Sequence, residues 1–387
     1  MTPPLGTRWA VRLRCTRTGV AAPLDEPAFL SPAGAPWGVE YRLDASLGEA
    51  WRDALAARSW SLWRYRELLP VAELDDRVDL GEGATPLLRV PGWGPPEVEV
   101  MVKEESGNPT GSFKARGLSM AVNRARELGA PGIELASAGN AAAALAAYAA
   151  AAGLPARVAL PADTPMAIEH RCRLHGVEVI RAGDTLVESR RALASSPRGY
   201  WDLSTFREPY RVEGKKTMGF ELVEQAGWRP PQWVVYPTGG GTGIVGMWKA
   251  FRELQALGLL GSRLPRMVVV QMAGCAPLVR AWREGKEAAE TWTEVDTRVW
   301  GLRVPAALAD FLVLRVLRES DGVALEVTEE ERAAAERRAG RQGLVVGPEG
   351  AAALAAVDRL GERGRLSPGD QVVVFQTGHP ANYGAGW

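Results

Sequence analysis

Apolar and polar residues recur along this chain with two different periods, and the places where the period changes mark its elements. About the first 45 residues, rich in Pro, Gly and Trp, keep neither period and read as an extended arm rather than a domain of their own. Over residues 45–71, ASLGEAWRDALAARSWSLWRYRELLPV places its apolar and aromatic side chains at helical spacing and predicts a helix. The apolar run VEVMVKEE then predicts a strand, SGNPTGSFKARG a loop, and MAVNRARELGA a helix ended by Gly129. The same strand, loop and helix recur as GIELASAGN with AAAALAAYAAAAGL, ARVALPADT with PMAIEHRCRLHG, and VEVIRAG with DTLVESRRALASS. Beyond Arg211 come a helix over KKTMGFELVEQAG, the strand WVVYPT, GGGTG, a helix over IVGMWKAFRELQALG and the strand RMVVVQMAG. Two more helices, EEERAAAERRAGRQG and PEGAAALAAVDRLGERG, precede the apolar strand QVVVFQTG. Alternation of this kind specifies α/β architecture, parallel sheets with helices on both faces, and the second series implies a second sheet layer. No tandem repeat of about 20 to 50 residues interrupts it.

Composition bounds this picture without redirecting it. With 387 residues, 46% of them hydrophobic, the chain can bury one large core or two medium ones. Lys plus Arg equals Asp plus Glu at 46 each, so no overall field draws it to nucleic acid or to an anionic membrane. No run of ~18 apolar residues occurs and the first residues lack the apolar core of a secretory signal, so the cytoplasm is the expected compartment. Cys15, Cys172 and Cys275 lie far apart and are expected to be reduced thiols. The basic residues are nearly all arginine, which says nothing of function but leaves few lysines for chemistry: Lys103, Lys114, Lys215, Lys216, Lys249 and Lys286.

Lys114 stands in NPTGSFKARG between a strand and a helix start, where a loop presents side chains to a ligand at the strand's carboxyl end. Alone, that position suits a solvated helix-start lysine better. The segment GGGTG changes the balance, because Gly239, Gly240, Gly241, Thr242 and Gly243 follow an apolar strand and open a helix. Bare backbone there lets several N–H groups converge on a phosphate, and the helix dipole adds positive potential. Gly241, Gly243 and Gly246 also satisfy the dinucleotide pattern GxGxxG, but the following strand ends in Gln271 where a ribose-binding acid belongs. A nucleotide P-loop at Gly214 fails as well, with Pro209 at its first glycine position and Lys216 after Lys215. ASAGN forms another small-residue loop between strand and helix, whose N–H groups suit a carboxylate and whose Asn140 suits a phenolic oxygen. QTGHP places Thr377 at the end of the last strand, where its hydroxyl suits a pyridine nitrogen.

These pieces in this order, from about residue 63 to 383, resemble the tryptophan-synthase-β-like (fold type II) pyridoxal 5'-phosphate (PLP) enzymes, and among them the threonine synthases. WRYRELLPV, LGEGATPLL, NPTGSFKARG, ASAGN, EPYRVEGKKT, PTGGGTG and the terminal TGH carry the resemblance. It implies that Lys114 holds the cofactor as an imine, Phe113 packs by the ring, Asn140 meets the phenolic oxygen, residues 239–243 hold the phosphate and Thr377 faces the ring nitrogen. A hydroxyl partner leaves that nitrogen largely unprotonated, which favours eliminations and replacements over transamination. It further implies conversion of O-phospho-L-homoserine to L-threonine, with the substrate held at Ser137, Ala138, Ala141 and Arg211, the arginine on the substrate phosphate. Two domains follow from it, a large one over residues 46–120 and 205–387 and a small mobile one over 121–204, together with a homodimer.

Several positions depart from that pattern. Ala115 replaces a common Asp, Ala138 and Ala141 replace hydroxyl residues, Gly240 replaces an asparagine, and TGHPANY lacks a usual GLK. GGGTG is similar to the loop of threonine and serine ammonia-lyases, which keeps that activity open, as a non-catalytic PLP-binding paralogue is also kept open. Glu349 in GPEG replaces an EPA or EPS pattern and reads as a polar residue behind the site or, with slight preference, a charge at a helix N-terminus. LRCTRTG and LSPAGAP resemble two zinc knuckles, but only Cys15 survives, with Thr18, Ser31 and Ala33 at apparent ligand positions, so the arm is expected to hold no metal.

Overall fold

In the computed structural model, which describes residues 3–383 apart from 73 and 138, the arm is more regular than its composition suggests. Strands β1 (Ala10–Cys15), β2 (Ala21–Ala22) and β3 (Trp37–Tyr41) form an antiparallel sheet in the order β2-β1-β3. This corrects the expectation of an arm without strand periodicity. Proline and glycine between the strands hide the alternation, and β1 itself shifts register between Ala10 and Arg12. Leu13, Trp37, Val39 and Tyr41 point inward, while outside Arg12 and Arg14 share Glu40 at 2.9 and 2.8 Å. The apparent ligand positions do converge in part: Cys15 Sγ donates to Ser31 Oγ at 3.1 Å and accepts from the Thr18 N–H at 3.5 Å.

The predicted long helix is shorter. Helix α1 covers Ala45–Leu55, its first turn capped by Asp44, and Leu62–Leu68 continues only as 3-10 turns. Arg58 explains the break, since its guanidinium holds the Arg64 carbonyl at 2.6 Å and the Glu67 carboxylate at 2.6 and 2.7 Å. The chain therefore folds back on α1, and Trp51 Nε1 reaches the same carboxylate at 3.1 Å.

Strands β4 (Leu87–Arg89) and β5 (Glu99–Glu104) begin the main sheet. The chain then leaves it through α2 (Lys114–Glu127) to build β6 (Ile133–Ala136), α3 (Asn140–Ala152), β7 (Ala156–Leu160), α4 (Met166–Leu174), β8 (Glu178–Arg181), α5 (Leu186–Ala194) and β9 (Trp201–Asp202). These four strands make a separate parallel sheet in the order β8-β7-β6-β9. Helix α6 (Tyr210–Gln225) leads back to β10 (Trp233–Pro237), α7 (Thr242–Ala256), β11 (Arg266–Met272), α8 (Pro277–Arg283), α9 (Asp310–Glu319), β12 (Val323–Val327), α10 (Glu329–Arg341), α11 (Pro348–Glu362) and β13 (Gln371–Gln376). The main sheet runs β12-β11-β10-β13-β5-β4, parallel except at β4. VEVMVKEE thus pairs with the last strand and not with its successor in sequence. Val100 and Val102 on one face and Met101 on the other are buried, like the valines of β10 and β13, as central strands of a covered sheet require. Among the described residues no helix is long and apolar enough to cross a membrane.

Helices α2, α6 and α7 cross closely because glycines stand where a side chain has no room. An added Cβ at Gly214 would lie 2.0 Å from the Arg116 carbonyl oxygen, and one at Gly246 2.9 Å from that of Val212. Behind the crossing, the buried Arg116 guanidinium grips Glu105 at 2.7 Å and Glu221 at 3.0 Å, and Lys103 reaches Glu221 at 2.5 Å. This network ties β5, α2 and α6 into one block, and leaving any member without its partner would strand a buried charge.

Candidate active site

The carboxyl ends of parallel strands are where an open α/β sheet offers loops to a ligand. Here β5 runs out toward Phe113 and Lys114, β10 ends at Pro237 just ahead of the glycine loop, β13 gives way to Thr377, and β6 leads to Asn140. The loops lock together: the Phe113 N–H donates to the Thr377 carbonyl at 3.0 Å and Ser112 bridges to Gly378. Thr110, just before the lysine, sits at φ 64°, a left-handed conformation that costs a non-glycine residue about 1 kcal/mol or more.

Lys114 opens α2, half-buried, with its Nζ 4.3 Å from the centroid of the Phe113 ring. Burial, reinforced by the nearby Arg211 guanidinium, brings its ammonium down to about 7. A large share of this amine is therefore neutral, and nucleophilic, near neutral pH. The glycine loop is shaped by what surrounds it. Gly241 has φ 86°, and a Cβ at Gly239 would meet the Gly301 carbonyl oxygen at 2.4 Å. One at Gly243 would meet the Tyr236 hydroxyl at 2.1 Å. Helix α7 starts at Thr242, so its first N–H groups have no partner within the helix and face the loop's mouth. The Tyr236 hydroxyl is buried without a hydrogen-bond partner among the described residues. Cradle, free helix N–H groups and orphaned hydroxyl together fit a phosphate, and the neutral amine fits an aldehyde.

Phe113, Lys114, Asn140, Gly239, Gly240, Gly241, Thr242, Gly243 and Thr377 all line one cleft. Asn140 is fixed from both ends: its Oδ1 accepts from Asn382 at 2.8 Å and its Nδ2 donates to the Tyr383 hydroxyl at 3.0 Å. That hydroxyl donates in turn to Glu349 Oε1 at 2.8 Å, which also takes the Gly301 N–H at 2.9 Å. Glu349 does lie in the first turn of α11, but its carboxyl is buried in the cleft wall, so the slight preference for a simple helix-end charge gives way to a place in the site. Burial pushes this carboxyl up, and its Oε2 has no partner among the described residues.

The remaining candidates stand off from the cleft. The Ser137 hydroxyl accepts from the Gly139 N–H at 3.3 Å, Ala141 is packed in the core, and Ala138 lies outside the described residues. Arg211 is no surface residue: it is buried, donates to the Leu203 carbonyl at 2.7 Å, and leaves its Nε unpartnered. Sequence reasoning passed over Thr205, Tyr236, Gly301 and Tyr383, and weighed Lys215 only in a nucleotide P-loop that failed. For Tyr236 a signal existed, a hydroxyl on an otherwise apolar strand directly before the glycine loop. Gly301 and Tyr383 come from irregular segments far apart in sequence, where no pattern marks them.

Residues 78–378 match the family described as pyridoxal-phosphate dependent enzyme. Over 374 residues the chain is 32% identical to a threonine synthase of Methanocaldococcus jannaschii, an alignment spanning 95% of this chain and 91% of that protein. A threonine synthase of Methanosarcina acetivorans is 36% identical over 326 residues, 82% of this chain and 79% of the relative. Among solved structures, maize serine racemase shares the fold, with a TM-score of 0.67 over 89% of this chain and 95% of its own at 20% identity. A threonine deaminase from T.th. reaches a TM-score of 0.64 at 28% identity, covering 76% of this chain and 92% of its own.

Proposed function

Because the chain belongs to the pyridoxal-phosphate dependent enzymes and is a threonine synthase-like lyase among them, we propose that it converts O-phospho-L-homoserine and water to L-threonine and phosphate. The relationship to threonine synthases over nearly the whole chain carries this reading. Bound PLP supplies an electron sink for charge developing beside the substrate's α carbon. Lys114 would attach it, and the lysine's neutral amine would take the α proton and then move a proton at the β carbon, ahead of phosphate departure and water addition. Asn140, held by Asn382 and Tyr383, would meet the phenolic oxygen, and Phe113 would pack by the ring. Residues 239–243 would hold the cofactor phosphate, and the Thr377 hydroxyl would meet the ring nitrogen. Ser137 and the N–H groups after it, beside Ala138, bind the substrate carboxylate; the unpartnered Arg211 Nε suits the substrate phosphate.

Residues 121–204 act as a small domain that closes on the large one, 46–120 and 205–387, and shuts water out of the cleft. The working form is a homodimer in the cytoplasm, with residues 1–45 as an arm that binds no metal. A second reading, threonine or serine ammonia-lyase, is favoured by two positions. Ala141 is packed away from the cleft, and a side chain at Gly240 would press on Thr205 Cγ2 at 2.9 Å, so neither offers a substrate-phosphate contact. The purified protein, incubated separately with O-phosphohomoserine, threonine and serine, decides between them. Phosphate with threonine is the expected result; keto acid and ammonia without phosphate turnover would transfer the assignment to the second reading.

A further inference from the structure

Four of the six lysines neutralise glutamates: Lys103 pairs with Glu221, Lys216 and Lys249 with Glu213, and Lys286 with Glu290. Lys114 and Lys215 pair with no carboxylate among the described residues. For Lys114 the cofactor explains this. Lys215 has no such explanation, although it is fully buried on α6, one turn beyond Arg211. Its ammonium donates to the Thr242 hydroxyl, at the first residue of α7, and stands 4.8 Å from the centroid of the same Phe113 ring that Lys114 approaches. Room for its stem is kept by Gly117 on α2, where an added Cβ would lie 2.9 Å from Lys215 Cε. Three basic side chains, Lys114, Arg211 and Lys215, thus stand within electrostatic reach of one another on α2 and α6. Glu208, whose charge acts in the opposite sense, is already engaged by the N–H groups of Tyr210 and Arg211 at 2.5 and 3.0 Å. Burial, then Lys114 and Arg211, hold the Lys215 ammonium well below its ordinary range, as an uncompensated cation requires. An unpaired buried ammonium is costly in an empty site and becomes favourable when an anion arrives.

We propose that Lys215 is a phosphate-binding residue, its ammonium the fixed counter-charge for the phosphate dianion cradled by residues 239–243. The proposal rests on reading the cleft as a PLP site. A phosphate monoester could come from the cofactor or from the substrate; Lys215 serves the cofactor's, because the Thr242 hydroxyl it holds belongs to the cradle itself. Glycine loops and helix N–H groups bring only partial charges to a phosphate, and a lysine adds a whole one. Lys215 takes up a proton as the phosphate binds, so the dianion persists where a free monoester, with a pKa of about 6, begins to protonate.

The test uses the full chain stripped of cofactor, as wild type, Lys215→Met and Lys215→Gln, titrated with PLP and with pyridoxal, which lacks the phosphate. Both variants are expected to raise the Kd for PLP about ten- to hundred-fold, the worth of a charge-assisted hydrogen bond, and to leave that for pyridoxal unchanged. Without cofactor, Lys215→Met should melt above the wild type, since no lysine then has to give up its proton to be buried on folding; a merely structural lysine would shift it the other way. The 31P resonance of bound PLP should stay constant through pH 6 in the wild type and titrate in the variants. An unchanged PLP Kd, or equal losses for PLP and pyridoxal, overturns the proposal. A raised KM for O-phosphohomoserine with an unchanged PLP Kd overturns it in favour of the substrate's phosphate. Wild type that binds no PLP at all defeats the cofactor reading itself, an outcome distinct from failure of Lys215 alone.

Discussion

Lys114 differs from a lysine on a surface helix in two ways, its burial against the Phe113 ring and its neighbour Arg211. Both disfavour the charged form. The rate at which cofactor attaches to the stripped protein should therefore rise with pH and level off above about 7, whereas a free lysine would keep gaining to about 10.4. Stopped-flow absorbance measures it. Lys114→Ala should abolish the visible absorbance of attached cofactor, and survival of that band would sink the assignment. At this scale the sequence was legible wherever function sits in a contiguous motif. Lys114, the glycine loop, Asn140 and Thr377 each announce themselves within a few residues and meet in one cleft. The chain from Asn140 through Tyr383 to Glu349 was not legible, because three distant segments supply it and only tertiary packing brings them to 3.0 and 2.8 Å. Lys215 was hidden for another reason. Helical periodicity shows that a residue lies on a helix, not that a glycine on a neighbouring helix has opened a place for its side chain.

Among the elements, strong periodicity succeeded and interrupted periodicity failed. Strands with uninterrupted valine, such as β10 and β13, and helices such as α3 and α7 match their expected segments. The strands of the arm, separated by proline and glycine, did not declare themselves, and α1 stops early because Arg58 reaches for carbonyl and carboxylate oxygens further along. Partners were the least legible. A parallel strand's own sequence carries no mark of which neighbour it joins, and β5 passes over β6 to pair with β13. The close contact of α2 with α6 is open to direct test at Gly214. Gly214→Ala forces a methyl group within 2.0 Å of the Arg116 carbonyl oxygen, and overpacking of this kind costs about 1–3 kcal/mol. Denaturant unfolding should register that loss, together with weaker PLP binding as Lys114 moves with α2.

Across the whole molecule, the two sheets meet around the cleft, and polar contacts besides those of Asn140 span them. Arg303, from the stretch beside Gly301, reaches Asp163 after β7 at 2.7 Å, and Arg171 on α4 reaches Asn382 at 2.6 Å. Both Arg303 and Asp163 are partly exposed, so Asp163→Asn should change stability by under ~1 kcal/mol. If the small sheet closes over substrate, the same change should raise KM and remove a salt dependence of KM that the wild type shows, as steady-state assays at graded ionic strength would reveal. The order of strands has a consequence of another kind. Lys114 is translated early and Thr377 late, yet β13 lies in the middle of the main sheet, between β5 and β10. A nascent chain therefore exposes its reactive lysine long before the sheet's central strand has left the ribosome, and the cofactor can be captured only after synthesis has passed that strand.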